Sequence, residues 1–129
     1  MRFTFIFFVV MSLSFSLSGQ NLSQYQWENR LLVCLLAEGS EEMLHIQEEK
    51  LSACEAGLKD RQLLLQKVYP QQTLYRKLHR ADAFEILLIG LDGGVKARWS
   101  EPIDCEEVFA LIDGMPMRRA ELRRRNTRN

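Results

Sequence analysis

The sequence carries no excess of either charge: 17 Lys and Arg stand against 17 Asp and Glu in 129 residues. Whole-chain electrostatic attraction is therefore excluded as a reason to bind nucleic acid or a membrane surface. Cysteine is scarce. Three thiols are too few for a disulfide scaffold, no Cys-x-x-Cys occurs, and no pairing has zinc spacing. His45 and His79 lie far apart with no carboxylate–histidine motif around either, so neither metal nor cofactor is expected. Ser40 and Ser52 lack the glycine-flanked elbow of a hydrolase nucleophile. Asp92-Gly93-Gly94 lacks the glycine pattern and following helix of a phosphate loop and reads as a hairpin turn.

What is present fits one folded domain. The length suits a single core, and 47% apolar with 26% charged residues excludes disorder for the bulk of the chain. Residues 1–19 stand apart from that domain. Arg2 gives a positive start, Phe3 to Phe15 is almost wholly apolar, and Ser16, Ser18 and Gly19 are small. This is the layout of a cleaved secretory signal, and its apolar run is shorter than the roughly 20 residues that span a bilayer. The expectation is a secreted or periplasmic protein with no transmembrane span once the signal is removed.

Residues 20–29 form a polar lead-in holding Tyr25 and Trp27, which either adds a strand or covers the sheet. Leu31 to Ala37 is a continuous apolar run, as expected of a strand buried on both faces. Ser40 with Glu41 and Glu42 starts a helix on which Leu44, Leu51, Cys54 and Leu58 share a stripe, and Gly57 closes it. A second strand runs from Gln62 to Tyr69, stopped by Pro70. A short helix from about Gln72 to His79 and a third strand from Phe84 to Gly90 follow. Val95 to Trp99 is the fourth strand, hairpin-paired to the third. Asp104 and Glu107 make a capping-box-like start to a helix closed by Gly114, and Pro116 opens a last segment through about Arg125. The expected class is α/β, β-α-β-(α)-β-β-α, with a central mixed four-stranded sheet and helices on both faces. That order is the one used by the thioredoxin-like fold. The domain is expected to span 30–117, with 118–129 a basic helix end and tail.

Four stretches resemble a known family: Tyr25 to Arg30, Leu58 to Arg61, Leu88 to Lys96, and Ile112 to Arg119. Together they are similar to bacterial members of the DUDES-type module, also called DUF4174. The resemblance implies a fold like that of thioredoxin and peroxiredoxin. It also implies kinship with modules of animal extracellular-matrix and sushi-repeat proteins, where adhesion roles are proposed. Bacterial members are mostly small exported proteins with no assigned activity.

A redox protein of that fold needs a nucleophilic thiol after the first strand or at the start of the next helix. Here Ala37 to Ile46 holds no cysteine and three glutamates. Arg80 to Ala83, where redox members place a cis-proline, holds no proline. Cys34, mid-strand, reads as a small buried hydrophobe, and Cys54 as part of the helix stripe. A Cys34–Cys54 bridge is conceivable, though a mid-strand sulfur rarely meets the required separation. Cys105, at a helix start, is expected to be the most acidic thiol, opposed by Glu106 and Glu107. An odd count leaves at least one thiol free or paired between chains.

The tail from Arg118 holds six arginines and one acid. It reads as a solvated helix end or as a patch for an anionic envelope or matrix component. Arg118 and Arg119 are either fixed by Asp113 or Glu121 or presented to a partner. The leading expectation is an exported binding module of unknown partner, not an enzyme. Its candidate surface comprises Lys96, Asp113, Met115, Met117, Arg118 and Arg119, and replacing both arginines is expected to leave folding near normal. The alternative is a divergent thiol oxidoreductase of the thioredoxin or peroxiredoxin kind, using Cys54 or Cys105.

Overall fold

The fold is described from a computed structural model over residues 22–128. The signal expected at 1–19 lies outside the described residues, as does the start of the 20–29 lead-in. A 3-10 turn at Leu22–Tyr25 precedes β1 (Arg30–Leu35), α1 (Glu41–Ser52), α2 (Glu55–Asp60) and β2 (Leu63–Val68). Then come α3 (Thr73–Leu78), β3 (Glu85–Ile89), β4 (Val95–Trp99), α4 (Cys105–Asp113) and α5 (Pro116–Arg128). The strands form one mixed sheet in the order β2-β1-β3-β4. β1 pairs parallel with β2 and antiparallel with β3, and β3 with β4 is the antiparallel hairpin. The α/β class and the sheet expected from the sequence are both present.

The central strand explains the architecture. All six residues of β1 are buried, and alternation along the pleat sends them to two cores. Leu32 and Cys34 join Leu51, Ile86, Leu88, Val108 and Ile112 beneath α1, α2 and α4. Leu31, Val33 and Leu35 join Val68, Tyr75, Leu87 and Ile89 on the other face, covered by α3 with Leu22 and Tyr25 of the lead-in. Among the described residues, the lead-in from Leu22 therefore covers the sheet and adds no strand. Its covering residues are Leu22 and Tyr25, whereas Trp27 is 62% exposed in a left-handed conformation (φ 70).

Three local expectations need correction. The single helix from Ser40 to Gly57 is two, because Cys54 leaves the helical region (φ −137, ψ 32) between Ser52 and Glu55. Gly57 does not end a helix; it sits inside α2, where an added Cβ would lie 2.5 Å from Phe109 Cε2. Close approach of α2 to α4 is what requires glycine there, and the chain leaves α2 through left-handed Gln62 (φ 52). Neither Ser40 nor Asp104 caps its helix through the side chain. Asp104 instead accepts from Lys50 Nζ at 2.6 Å, so the capping box does not form. α5 runs from Pro116 to Arg128, three residues past the Arg125 at which the last segment was expected to end.

Candidate binding groove and cysteine pair

Where α2, α4 and α5 meet the amino end of β1, the fold buries charge. Arg118 is 2% exposed. Its Nη2 donates to Asp60 Oδ2 at 2.6 Å, its Nε to Asp113 Oδ1 at 3.2 Å, and its Nη1 to Glu121 Oε2 at 3.2 Å. Arg30, 1% exposed, donates to Arg61 O at 2.9 Å and Glu121 Oε1 at 3.2 Å, leaving its Nε without an acceptor. Arg61 forks onto Asp113 at 2.8 and 3.1 Å and stacks over the Phe109 ring at 4.0 Å. Arg125 meets Asp60 Oδ1 at 2.7 Å.

These contacts set the protonation states. Hydrogen bonds from Arg125 and then Arg118 hold the Asp60 carboxyl below its ordinary value, and Arg61 does the same for Asp113. Burial opposes the charge of Arg118, yet its carboxylate partners raise its pKa. Of the two roles the sequence allows for Arg118, the fold gives it the fixed one. Replacing it is expected to weaken the fold, because its hydrogen bonds to Asp60, Asp113 and Glu121 would be lost.

Beside this hub opens a groove of about 970 Å³ lined by Trp27, Lys59, Leu91, Met117, Arg124 and Arg128, among others. Trp27 and Met117 (42% exposed) give it two bare apolar contacts. Lys59, Arg124 and Arg128 have no carboxylate partner among the described residues, so the unneutralised charge of the groove is positive. Asp60 and Glu121 also line it, but both are occupied by arginines.

The residues proposed from the sequence do not form one patch. Met117 faces the groove, and Arg119 is exposed on the same helix. Met115 packs against the first core. Asp113 lies between Arg61 and Arg118. Lys96 pairs with Asp92 at 2.7 Å in the hairpin turn, which lowers the Asp92 pKa. Sequence reasoning missed Trp27, Lys59 and Arg30 as parts of this region. It also missed Glu85, which is buried and accepts from Ala81 N (2.8 Å) and Arg98 Nη1 (2.9 Å).

The cysteines correct another expectation. Cys54 and Cys105 form a disulfide, with Cα atoms 6.7 Å apart. Cys54 is thus not simply a stripe residue, its partner is not Cys34, and Cys105 is not a free acidic thiol. The break after Ser52 brings Cys54 to the start of α4. Beside the bridge, Gln47 (0% exposed) donates to Ile103 O at 3.0 Å and accepts from Ile103 N at 2.8 Å. Its only sequence signal is its place between Leu44 and Leu51 on an apolar stripe. Cys34 is the free thiol, and burial pushes its pKa up to about 12. A thiol in that state is neither nucleophilic nor reachable.

A model of the DUF4174 family, a domain of unknown function, matches residues 67–121. That stretch runs from the end of β2 into α5 and contains two of the four segments that carry the resemblance, Leu88 to Lys96 and Ile112 to Arg119. No curated protein matches the sequence. Among solved structures, a thioredoxin-2 described as a component of malaria parasite protein secretion machinery is 18% identical. It matches over 67% of this chain and 84% of its own, with a TM-score of 0.51. Reduced Plasmodium vivax 2-Cys peroxiredoxin is 11% identical over 73% and 81%, with a TM-score of 0.55. Trgpx in apo form is 21% identical over 72% and 83%, with a TM-score of 0.52. Likeness at these identities establishes the thioredoxin-like fold and transfers no chemistry.

Proposed function

We propose that the chain is an exported domain of thioredoxin-like fold that acts by binding, with the groove between Trp27 and α5 as its docking surface. The observation that carries this reading is the groove itself: two exposed apolar side chains beside three cations with no carboxylate partner among the described residues. Such a surface suits an anionic envelope or matrix component, the charges giving attraction and Trp27 giving contact area. Export rests on the signal-like pattern of residues 1–19. The loop after β1 contributes no thiol, in keeping with a role other than thiol exchange.

Retention on immobilised dextran sulfate at low salt tests the reading. Wild type should be held and released by added salt, whereas Trp27→Ala combined with Arg124→Ala and Arg128→Ala should flow through while remaining folded. Equal retention of both would overturn it.

A second reading is favoured by the Cys54–Cys105 disulfide: a thiol oxidoreductase in which this pair cycles. It requires reduction of a model substrate disulfide, such as that of insulin, after a supplied dithiol has reduced Cys54–Cys105 and been oxidised to its own disulfide. This activity should be lost in Cys54→Ser/Cys105→Ser. Turnover that persists in that variant would remove it, as would none in wild type.

A further inference from the structure

The groove beside the buried charge has features that an anion site alone does not need. Trp27 and Gln62 are the two non-glycine residues with left-handed backbone among those described (φ 70 and 52), and both line it. That conformation is costly for a bulky side chain and collects where a fold holds a ligand. Burial does not explain it for Trp27, which is 62% exposed. Its backbone is nonetheless braced against the hairpin turn. The Trp27 amide donates to Leu91 O at 2.6 Å, and the neighbouring Gln26 Nε2 donates to Asp92 O at 2.9 Å. The fold thus presents a bare indole at the wall of a cavity of about 970 Å³.

The polar groups of the groove narrow what lies against that indole. Lys59, Arg124 and Arg128 call for anionic groups. Arg124 and Arg128 stand four residues apart on α5, about 6 Å by helix rise, which is comparable with the length of one pyranose unit. The Gln62 side-chain amide and the indole N–H have no partner among the described residues. Asp60 and Glu121, though paired to arginines, keep lone pairs that accept from hydroxyls. A phosphate polymer offers those carboxylates no donors. Single-stranded nucleic acid stacks on successive aromatics, and the residues lining this groove include one. A chain of pyranose rings bearing carboxylate or sulfate meets every demand. One ring face stacks on Trp27, ring hydroxyls donate to Asp60 and Glu121, and the anions lie on the three cations. We infer that the groove is a subsite for an acidic polysaccharide, with Trp27 as the platform for one sugar ring, an inference that rests on the groove being the docking surface.

Dextran sulfate, polyvinyl sulfate and dextran separate the ring from the charge. The second has sulfates without rings, and the third has rings without sulfates. Titration of the folded chain at low salt is followed by NMR through the Trp27 indole N–H, with Trp99, packed against the first core, as internal reference. Dextran sulfate should move the Trp27 signal and not that of Trp99, and dextran should move neither. Polyvinyl sulfate should bind about 10-fold more weakly at equal sulfate concentration, the scale of one lost aromatic contact. Trp27→Gly suits left-handed backbone and should keep Tm, yet lose the same factor for dextran sulfate alone. Arg124→Gln/Arg128→Gln should weaken both sulfated polymers and flatten their salt dependence. Equal binding of dextran sulfate and either control, or dextran sulfate binding unchanged in Trp27→Gly, would overturn the sugar inference and leave the groove reading standing. Tighter binding of oligothymidylate would overturn it in favour of nucleic acid. Binding of neither sulfated polymer would remove the groove reading itself.

Discussion

At the amino end of β1, Arg30 and Arg118 are buried with Asp60, Asp113 and Glu121 ranged around them, and of all their nitrogens only Arg30 Nε lacks an acceptor. At the carboxyl end Ser40 is 4% exposed, and its hydroxyl has no partner among the described residues. Buried charge that is closely paired resists change, because removing one partner gives up several hydrogen bonds at once. A neutral hydroxyl with no partner in the fold contributes little to stability. The first end therefore reads as a joint that holds α2, α4 and α5 together. The second leaves a polar group without a partner in the fold. The wide groove beside the joint shares both characters, with Asp60 and Glu121 locked and Lys59, Arg124 and Arg128 free.

The largest effect should come from breaking the joint. Arg118→Ala removes hydrogen bonds to three carboxylates, each of which keeps a second arginine. It is expected to cost about 3–5 kcal/mol, from several charge-assisted hydrogen bonds lost at once. Urea unfolding would measure it. Arg118→Lys should recover part of the loss, since an ammonium still meets one of the carboxylates although it cannot fork among three. A loss below about 1 kcal/mol for the single variant would mean that α5 docks without needing its buried arginine.

Next in size is the disulfide. Cys54 and Cys105 are 51 residues apart in sequence, and closing a loop of that length stabilises by about 2–4 kcal/mol through the unfolded chain. Cys54→Ser/Cys105→Ser should lower stability by that amount and still fold. Gln47 keeps its two hydrogen bonds to Ile103, and Lys50 keeps Asp104, so α1 stays against the segment before α4. Gln47→Ala in the same background should then expose the difference between one clamp and none.

Acid should loosen the joint and leave the far end untouched. The pKa values of Asp60 and Asp113 are depressed in the fold. Their contribution is thus fully present above the unfolded value of about 3.9 and is lost as pH falls through the lower folded values. Both carboxylates are well exposed, so salt should shrink the effect. An acid transition that begins below about pH 4, and that is flattened in Asp60→Asn/Asp113→Asn, is the expected result of a pH series followed by circular dichroism. A transition unchanged in that variant would place the acid-sensitive groups elsewhere.

How much of this was legible in the sequence follows from the same contrast. β1 was readable because seven apolar residues in a row admit little but a strand covered on both faces. The hairpin was readable from Asp92-Gly93-Gly94, where Gly93 takes φ 82 and Asp92 Oδ1 accepts from Gly94 N at 2.9 Å. The break after Ser52 was hidden, because Leu51, Cys54 and Leu58 keep helical spacing across it. Gly57 looked like a terminator because nothing local announces Phe109 above it. The disulfide joins distant segments, and spacing along the chain carries no sign of it. Arg118 was half legible. Asp113 and Glu121 beside it suggested a fixed arginine, but Asp60, the acid it approaches most closely, comes from a separate helix. Pairings made by tertiary approach are the ones a linear reading misses.

The smallest expected effect is the sharpest test of the contrast. Ser40→Ala removes a hydroxyl that bonds to nothing, and its backbone contacts to Ala37 and Leu44 need no side chain. An N-cap serine that bonds its helix loses about 1 kcal/mol on this change. Here thermal unfolding should move by no more than about 0.5 kcal/mol, as for a substitution that breaks no named interaction. A clear loss would mean that Ser40 is bonded after all and that both ends of β1 are built on the same plan. A neutral result leaves a hydroxyl that the fold does not use, and the contrast between the two ends of β1 stands.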